Sequence, residues 1–367
     1  MSRLWSRYAC LGGHAVRLFS DFTTSYARNS AQYFNFDRLN GVSKALHSPK
    51  CRALTPFVFA FSLFTTKVDD QANSDAKQDN KDIQELVIQG KSYLAAKQNP
   101  GKAEMSYLKA LHLALERGDR KVIAHVQDLL ANLALHANQY DKAEPLFRSV
   151  LQNLIATGTQ PNDPAILEIS LKLASIYAGQ SKKELAVTGY NWCADTCRSN
   201  LKKFRDTGMK ITDKEYLNSA ALLGMILDSY GRYLFDTGQH KEALACAMEA
   251  KQLSQQIYGE NDVRTLVLYN DIGSVKSRMG QHEEALEYVL KAVNGAESSA
   301  VEANDKAVFY TNLSMVYMQQ GKHKEAEEAY KKALIEVSKT KDEQLKRYVG
   351  SLANILVLNE SEKKSKS

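Results

Sequence analysis

Cysteine is scarce: Cys10, Cys51, Cys193, Cys197 and Cys246 are the only five in 367 residues. An odd, scattered set excludes a disulfide framework. Cys193 and Cys197 stand four apart on a predicted helix and read as free thiols in or near a helical core. A zinc site would need two further ligands, and none is spaced for it. Catalytic motifs are absent as well, since no HExxH, CxxC or G-x-S-x-G occurs. Gly90-Lys91-Ser92 echoes the end of a phosphate-binding loop, but the position where that loop requires glycine is Glu85. The chain therefore reads as no enzyme, with no cofactor, no metal and no small-molecule substrate. His240, His282 and His323 are periodic only because they occupy equivalent turn positions.

Charge of one sign is confined to one end. Residues 1–52 carry eight basic residues and two acids, so this segment holds the entire net charge of +6. The remainder is neutral overall and gives no argument for nucleic-acid binding. A membrane-spanning run is also missing. The apolar stretch 53–66 is uncharged and rich in Phe, but its 14 residues make a helix of about 21 Å against a hydrocarbon core of ~30 Å. It reads as a short or tilted anchor, an interfacial segment or a sorting signal, with a buried segment or part of the removed presequence as the alternative, and membrane association is expected from it.

What the chain does contain is a repeat. Gly280-Gln281-His282-Glu283-Glu284-Ala285 is echoed 42 positions earlier by Gly238-Gln239-His240-Lys241-Glu242-Ala243, and 41 positions later by Gly321-Lys322-His323-Lys324-Glu325-Ala326. A glycine after a helical run ends that helix, because glycine enters the left-handed region at little cost. The Glu and Ala that follow open a second helix. Each copy is therefore a helix, a tight turn and a helix, and stacking copies buries the apolar stripes that one pair leaves open. Weaker copies follow Asn99-Pro100-Gly101, Asn138-Gln139-Tyr140 and Ser181. The marker alanines are Ala103, Ala143, Ala186, Ala243, Ala285 and Ala326, at intervals of 40, 43, 57, 42 and 41. The long interval points to a longer helix pair or a charged loop near residues 198–217, where Lys202, Lys203, Arg205 and Lys210 lie.

The flanks are different in character. Wound as a helix, residues 3–22 place Leu4, Tyr8, Leu11, Ala15, Leu18 and Phe22 on one side and Arg3, Arg7, His14 and Arg17 on another. Arg-rich, acid-poor and amphipathic describes a mitochondrial presequence, so residues 1–52 are expected to direct import and to be cleaved at least in part. Residues 67–82, with Asp69, Asp70, Asp75, Asp79 and Asp82, read as an acidic linker. The repeat array is expected over 83–340, and an amphipathic capping helix over 341–358.

Set against the packing positions of the tetratricopeptide repeat, the fit is specific. The last copy has Leu313, Ser314, Tyr317, Ala326, Tyr330 and Ala333; an earlier one has Leu173, Ala174, Tyr177, Ala186 and Tyr190. The chain is identified as a member of that superfamily, which implies an all-α, right-handed superhelical solenoid of about six helix pairs. The proline common near the end of such repeats is missing, which lets the second helix run on and fits the longer period. The leader, the acidic linker and the segments at 128–134 and 168–178 further resemble a mitochondrial branch of the family. That resemblance implies a scaffold at the inner mitochondrial membrane that maintains respiratory complex III and helps clear fragments of its Rieske iron–sulfur subunit. Complex III subunits and Rieske fragments are the partners it implies.

In such arrays the first helix of each pair lines the concave face. Counting from the packing residues, the groove candidates are Asp128, Asn132, Leu171, Ser175, Asp228, Arg232, Asn270, Ser274, Thr311 and Met315. Their mix of polar and apolar groups suits a peptide or partner helix, and they lack a Lys/Asn set that would grip a C-terminal carboxylate. The competing reading is a cytosolic adaptor of kinesin-light-chain or chaperone type, favoured by the 42-residue period. The amphipathic leader argues against it.

Overall fold

The computed structural model describes residues 80–95 and 99–350. The expectations for residues 1–52, for 53–66, for nearly all of the linker 67–82 and for the last part of the capping helix lie outside that range. The described residues form twelve named helices: α1 (Lys81–Ala95), α2 (Pro100–Arg117), α3 (Arg120–His136), α4 (Tyr140–Ala156), α5 (Pro164–Gly179), α6 (Lys183–Asp206), α7 (Lys214–Asp236), α8 (His240–Tyr258), α9 (Val263–Arg278), α10 (His282–Ser298), α11 (Ala303–Gln319) and α12 (His323–Ser338). Helix resumes at residues 343–350. Odd-numbered helices open each pair and even-numbered helices close it.

The turns explain this punctuation. Gly238, Gly280 and Gly321 have φ of 82°, 79° and 74°. In the middle one, Gly280 N–H donates to the Ser277 carbonyl and Gln281 N–H to the Lys276 carbonyl, at 3.1 and 2.9 Å. These two bonds close the orphan carbonyls at a helix end. Asn138 (φ 55°) and Ser181 (φ 60°) adopt the same conformation without being glycine. Gln139 N–H still reaches Ala134 O at 2.8 Å, and Lys182 N–H reaches Tyr177 O at 2.8 Å. The weak copies at Asn138 and Ser181 therefore close with the same turn as the strong ones.

Contacts divide the chain into two compact units, one ending at Cys197 and one beginning at Arg198. In unit 1, Ile83, Val87, Ala103, Tyr107, Ala110 and Val126 form a core shared by α1, α2 and α3. The thiol of Cys193, buried like that of Cys197, lies 3.8 Å from the Leu167 carbonyl. In unit 2, Ala285, Val289, Ala292, Phe309, Val316 and Ala333 share one core. Helices α9 and α10 cross closely there. A Cβ on Gly273 would lie 2.4 Å from Val289 Cγ2 and 3.1 Å from the Ala285 carbonyl, so Gly273 has no room for a side chain, and Ala285 is itself fully buried. The long interval is absorbed by length in helix: α6 has 24 residues and α7 has 23, joined by a turn through Gly208. Among the described residues, no helix is long and apolar enough to cross a membrane.

Candidate functional site

In unit 1, the first helices of two successive pairs carry a buried charged trio. Lys172 Nζ of α5 lies 2.8 Å from Glu168 Oε1 one turn away and 3.6 Å from Asp128 Oδ1 of α3. The side chains are 9, 2 and 3% exposed respectively. Lys172 also stands 5.4 Å from the centroid of the Phe147 ring. A lysine shared by two carboxylates lets all three charges be buried at once, which none could bear alone. Two histidines border the trio. Burial lowers the His125 pKa, with Lys91 adding to the effect and Asp128 opposing it. Burial also lowers that of His136, and Lys172 adds to it.

The groove candidates of this unit mostly turn inward. Asp128, Leu171 and Ser175 are buried. Ser175 Oγ donates to the Leu171 carbonyl at 3.0 Å and accepts from Tyr190 OH at 3.2 Å. Asn132 is half-buried, and its amide donates to the Asp128 carbonyl at 2.7 Å. Sequence reasoning passed over Glu168 and Lys172. The available signal was a pair of opposite charges four apart inside the otherwise apolar run 166–177.

In unit 2, the first helices build a polar ladder nearer the surface. Arg232 of α7 reaches Asp228 at 3.1 Å on its own helix, and its Nη2 reaches Asp271 Oδ2 of α9 at 2.8 Å. These side chains are 27, 20 and 25% exposed. One rung further, Asn312 of α11 donates through Nδ2 to Asn270 Oδ1 at 2.9 Å and to Ser274 Oγ at 3.1 Å. Thr311 is buried and donates to the Ala307 carbonyl at 2.6 Å. Met315 is half-buried, with Tyr348 OH 4.0 Å from its sulfur. Asp271 and Asn312 were not singled out from the sequence, yet they join one helix to the next.

Electrostatics sharpens the contrast within this ladder. Burial lifts the Asp271 carboxyl to about 6; Asp228 and Asp305 push the same way, while Arg232 pulls against them. Burial also raises Asp236 and Asp305, each opposed by Arg232. Burial works against the Arg232 charge, but Asp228 and Asp271 outweigh it and hold the guanidinium above the ordinary arginine range. A single cation thus serves four aspartates. Such a face suits donor-rich or cationic segments of another protein. Among the described residues, no group of three His, Cys, Asp or Glu side chains could hold a metal ion.

Comparison with known proteins places this architecture. A tetratricopeptide repeat family model matches residues 219–298, and a second tetratricopeptide repeat model matches 307–334. Two solved structures share the fold. The apo form of RapI has a TM-score of 0.58 at 12% identity, covering 78% of this chain and 73% of that one. BtubC (BKLC) from P. vanneervenii has a TM-score of 0.52 at 19% identity, covering 64% and 89%. Among curated proteins, the mitochondrial tetratricopeptide repeat protein 19 of Rattus norvegicus is 32% identical over 291 residues, 78% of this chain and 79% of its own. That of Mus musculus is 34% identical over 275 residues, covering 75% and 74%. Helix pairs closed by left-handed turns, polar first-helix faces and kinship over three quarters of both chains agree: the chain belongs to the mitochondrial tetratricopeptide repeat protein 19 family, and it is a non-catalytic repeat scaffold.

Proposed function

We propose that this scaffold acts at the inner mitochondrial membrane, where it maintains respiratory complex III and helps clear fragments of the Rieske iron–sulfur subunit. The observation that carries the reading is the kinship with mitochondrial relatives over most of the chain. The half-buried ladder of unit 2 supports capture of a protein segment there. Asp228, Arg232 and Asp271 keep part of their surface open to solvent, so a partner can exchange water for its own charges. Of the remaining candidates, Ser274 and Met315 are half-buried on the first helices of the same unit. On this reading Asn132 plays a lesser part in unit 1, and the buried Asp128, Leu171, Ser175, Asn270 and Thr311 hold the helices that present the face.

The experiment returns the full chain to mitochondria that lack the endogenous family member. The expected result is lower Rieske-fragment levels and recovery of complex III activity, with complex III subunits retained on the tagged chain. Fragments that persist at the starting level, with no complex III subunit captured, would reject the assignment and reopen the cytosolic-adaptor reading.

A further inference from the structure

The first pair of unit 1 has an uncovered apolar stripe. Helix α2 buries Ala103, Ser106, Tyr107, Ala110, Leu111 and Ala114 against its own unit. On its outer face Met105, Leu108 and Leu115 are 56, 40 and 55% exposed. With His112 between them, they follow the 3-4-3 spacing of a helix–helix seam. The end of a repeat array ordinarily presents a polar face, because nothing stacks on it.

Three observations choose the occupant. The first is where the preceding chain meets α2. Arg117, at the C-terminal end of the helix, donates to Asn80 Oδ1 at 3.3 Å and to Asp82 Oδ1 at 2.8 Å, and Asn80 Nδ2 reaches Asp119 at 3.4 Å. Residue 80 therefore lies at the end of the stripe where Leu115 sits. The second is the sequence before it. In the uncharged segment 53–66, Phe57, Phe61 and Phe64 repeat with the same 4-then-3 spacing as Leu108, His112 and Leu115, and Thr55-Pro56 is a helix-start signal. The thirteen residues 67–79 between them reach up to roughly 45 Å, and the stripe is about 15 Å long. The third is size. Three partly exposed side chains offer on the order of 300 Å², whereas a stable dimer buries about 800 Å² on each partner. A tethered segment needs less, because its docking is intramolecular.

We propose that residues 53–66 dock on the outer face of α2 as an apolar helix, completing the N-terminal end of unit 1. The segment then serves as a cap for the array rather than as a membrane anchor. The proposal is independent of the complex III assignment.

The test uses the full chain with Cys10→Ser and Cys51→Ser, and His112→Cys as a reporter in the middle of the stripe. Its reaction with a maleimide is followed by peptide mapping, and compared with the same chain carrying Phe57→Ser, Phe61→Ser and Phe64→Ser. Docking predicts modification about tenfold slower with the phenylalanines present, which corresponds to a docked fraction of about 90%. The protection should be independent of protein concentration and of lipid. Leu115→Cys reads the same stripe at its end and stands in if the first reporter lowers helicity. Equal rates in the two chains would overturn the proposal. So would protection that grows with protein concentration, which indicates a second copy, or that appears only with phosphatidylcholine–cardiolipin vesicles, which indicates a membrane surface. A mature chain that begins after residue 66 would overturn it as well.

Discussion

In unit 1 Lys172 sits between Asp128 and Glu168 with each side chain less than a tenth exposed; in unit 2 Arg232 sits between Asp228 and Asp271 with each 20 to 27% exposed. The wiring is the same in both. One cation serves two carboxylates and ties the first helix of a pair to the first helix of the next. Depth separates them, and so do the further aspartates, Asp236 and Asp305, that Arg232 also serves. A buried trio cannot exchange its partners for those of another molecule, so its role is to fix how α3 meets α5. The shallower ladder keeps that possibility, and its excess of aspartate gives it a preference for positive charge.

The comparison breaks most visibly at Lys172. Replacing it by Met leaves two buried carboxylates without a counter-charge, which costs about 3–5 kcal/mol. The companion triple change of Asp128→Asn, Glu168→Gln and Lys172→Met removes every charge and should recover most of that loss. Urea unfolding of the full chain measures both. A Lys172→Met chain within 1 kcal/mol of the parent, on the order of noise for such fits, would show that the trio is solvated in solution.

Next in size is a change that ignores charge altogether. Ala285 is fully buried where α9 crosses α10, beside Gly273 and Val289. Ala285→Leu should overpack that crossing and lower stability by about 1–3 kcal/mol. Because repeats stabilise their neighbours, the loss should broaden to the rest of unit 2 while helicity is retained in the cold. Thermal melts by circular dichroism read this, and an unchanged melting temperature would mean that the crossing has slack.

The smallest effect is in the pH dependence of the ladder. Asp271 stands at about 6 in the folded chain, against about 3.9 for an unfolded aspartate. The folded state therefore holds this proton more tightly. Its contribution to stability is complete below pH ~4 and declines as the pH rises through ~6. In Asp271→Asn that decline disappears. Between pH 4.5 and 7.5 the variant should gain about 1–2 kcal/mol on the parent, after allowance for partial solvation. Parallel stability curves across that range would place Asp271 in an open, well-solvated position.

Much of the fold is legible from residue spacing. Gly238, Gly280 and Gly321 announce three turns, and each has the left-handed φ expected of it. Turns at Asn138 and Ser181 are harder to see, because the same backbone conformation is reached there without glycine. The 57-residue interval is ambiguous in sequence, since extra helix and extra loop both lengthen a repeat; here α6 and α7 are simply longer. The site was less legible. Helical periodicity names the face on which Asp128 and Ser175 lie, but not how deeply a neighbouring helix covers it. Glu168 and Lys172 went unnoticed although their i,i+4 pairing is visible in the sequence, because charged residues are seldom fully buried and the Asp128 that completes the trio lies on another helix.

The central claim is that the unit 2 ladder, not the buried trio, meets the partner. The most direct measurement is capture of complex III subunits from mitochondria lacking the endogenous protein by the tagged full chain carrying Asp228→Ala and Arg232→Ala. Both residues leave together, and because Asp271 then loses its guanidinium partner, the same capture is also read with Asp271→Asn added. The account predicts that capture weakens by about 5- to 150-fold, equivalent to roughly 1–3 kcal/mol, while the melting curve stays close to that of the parent. Undiminished capture by a folded double variant would contradict it.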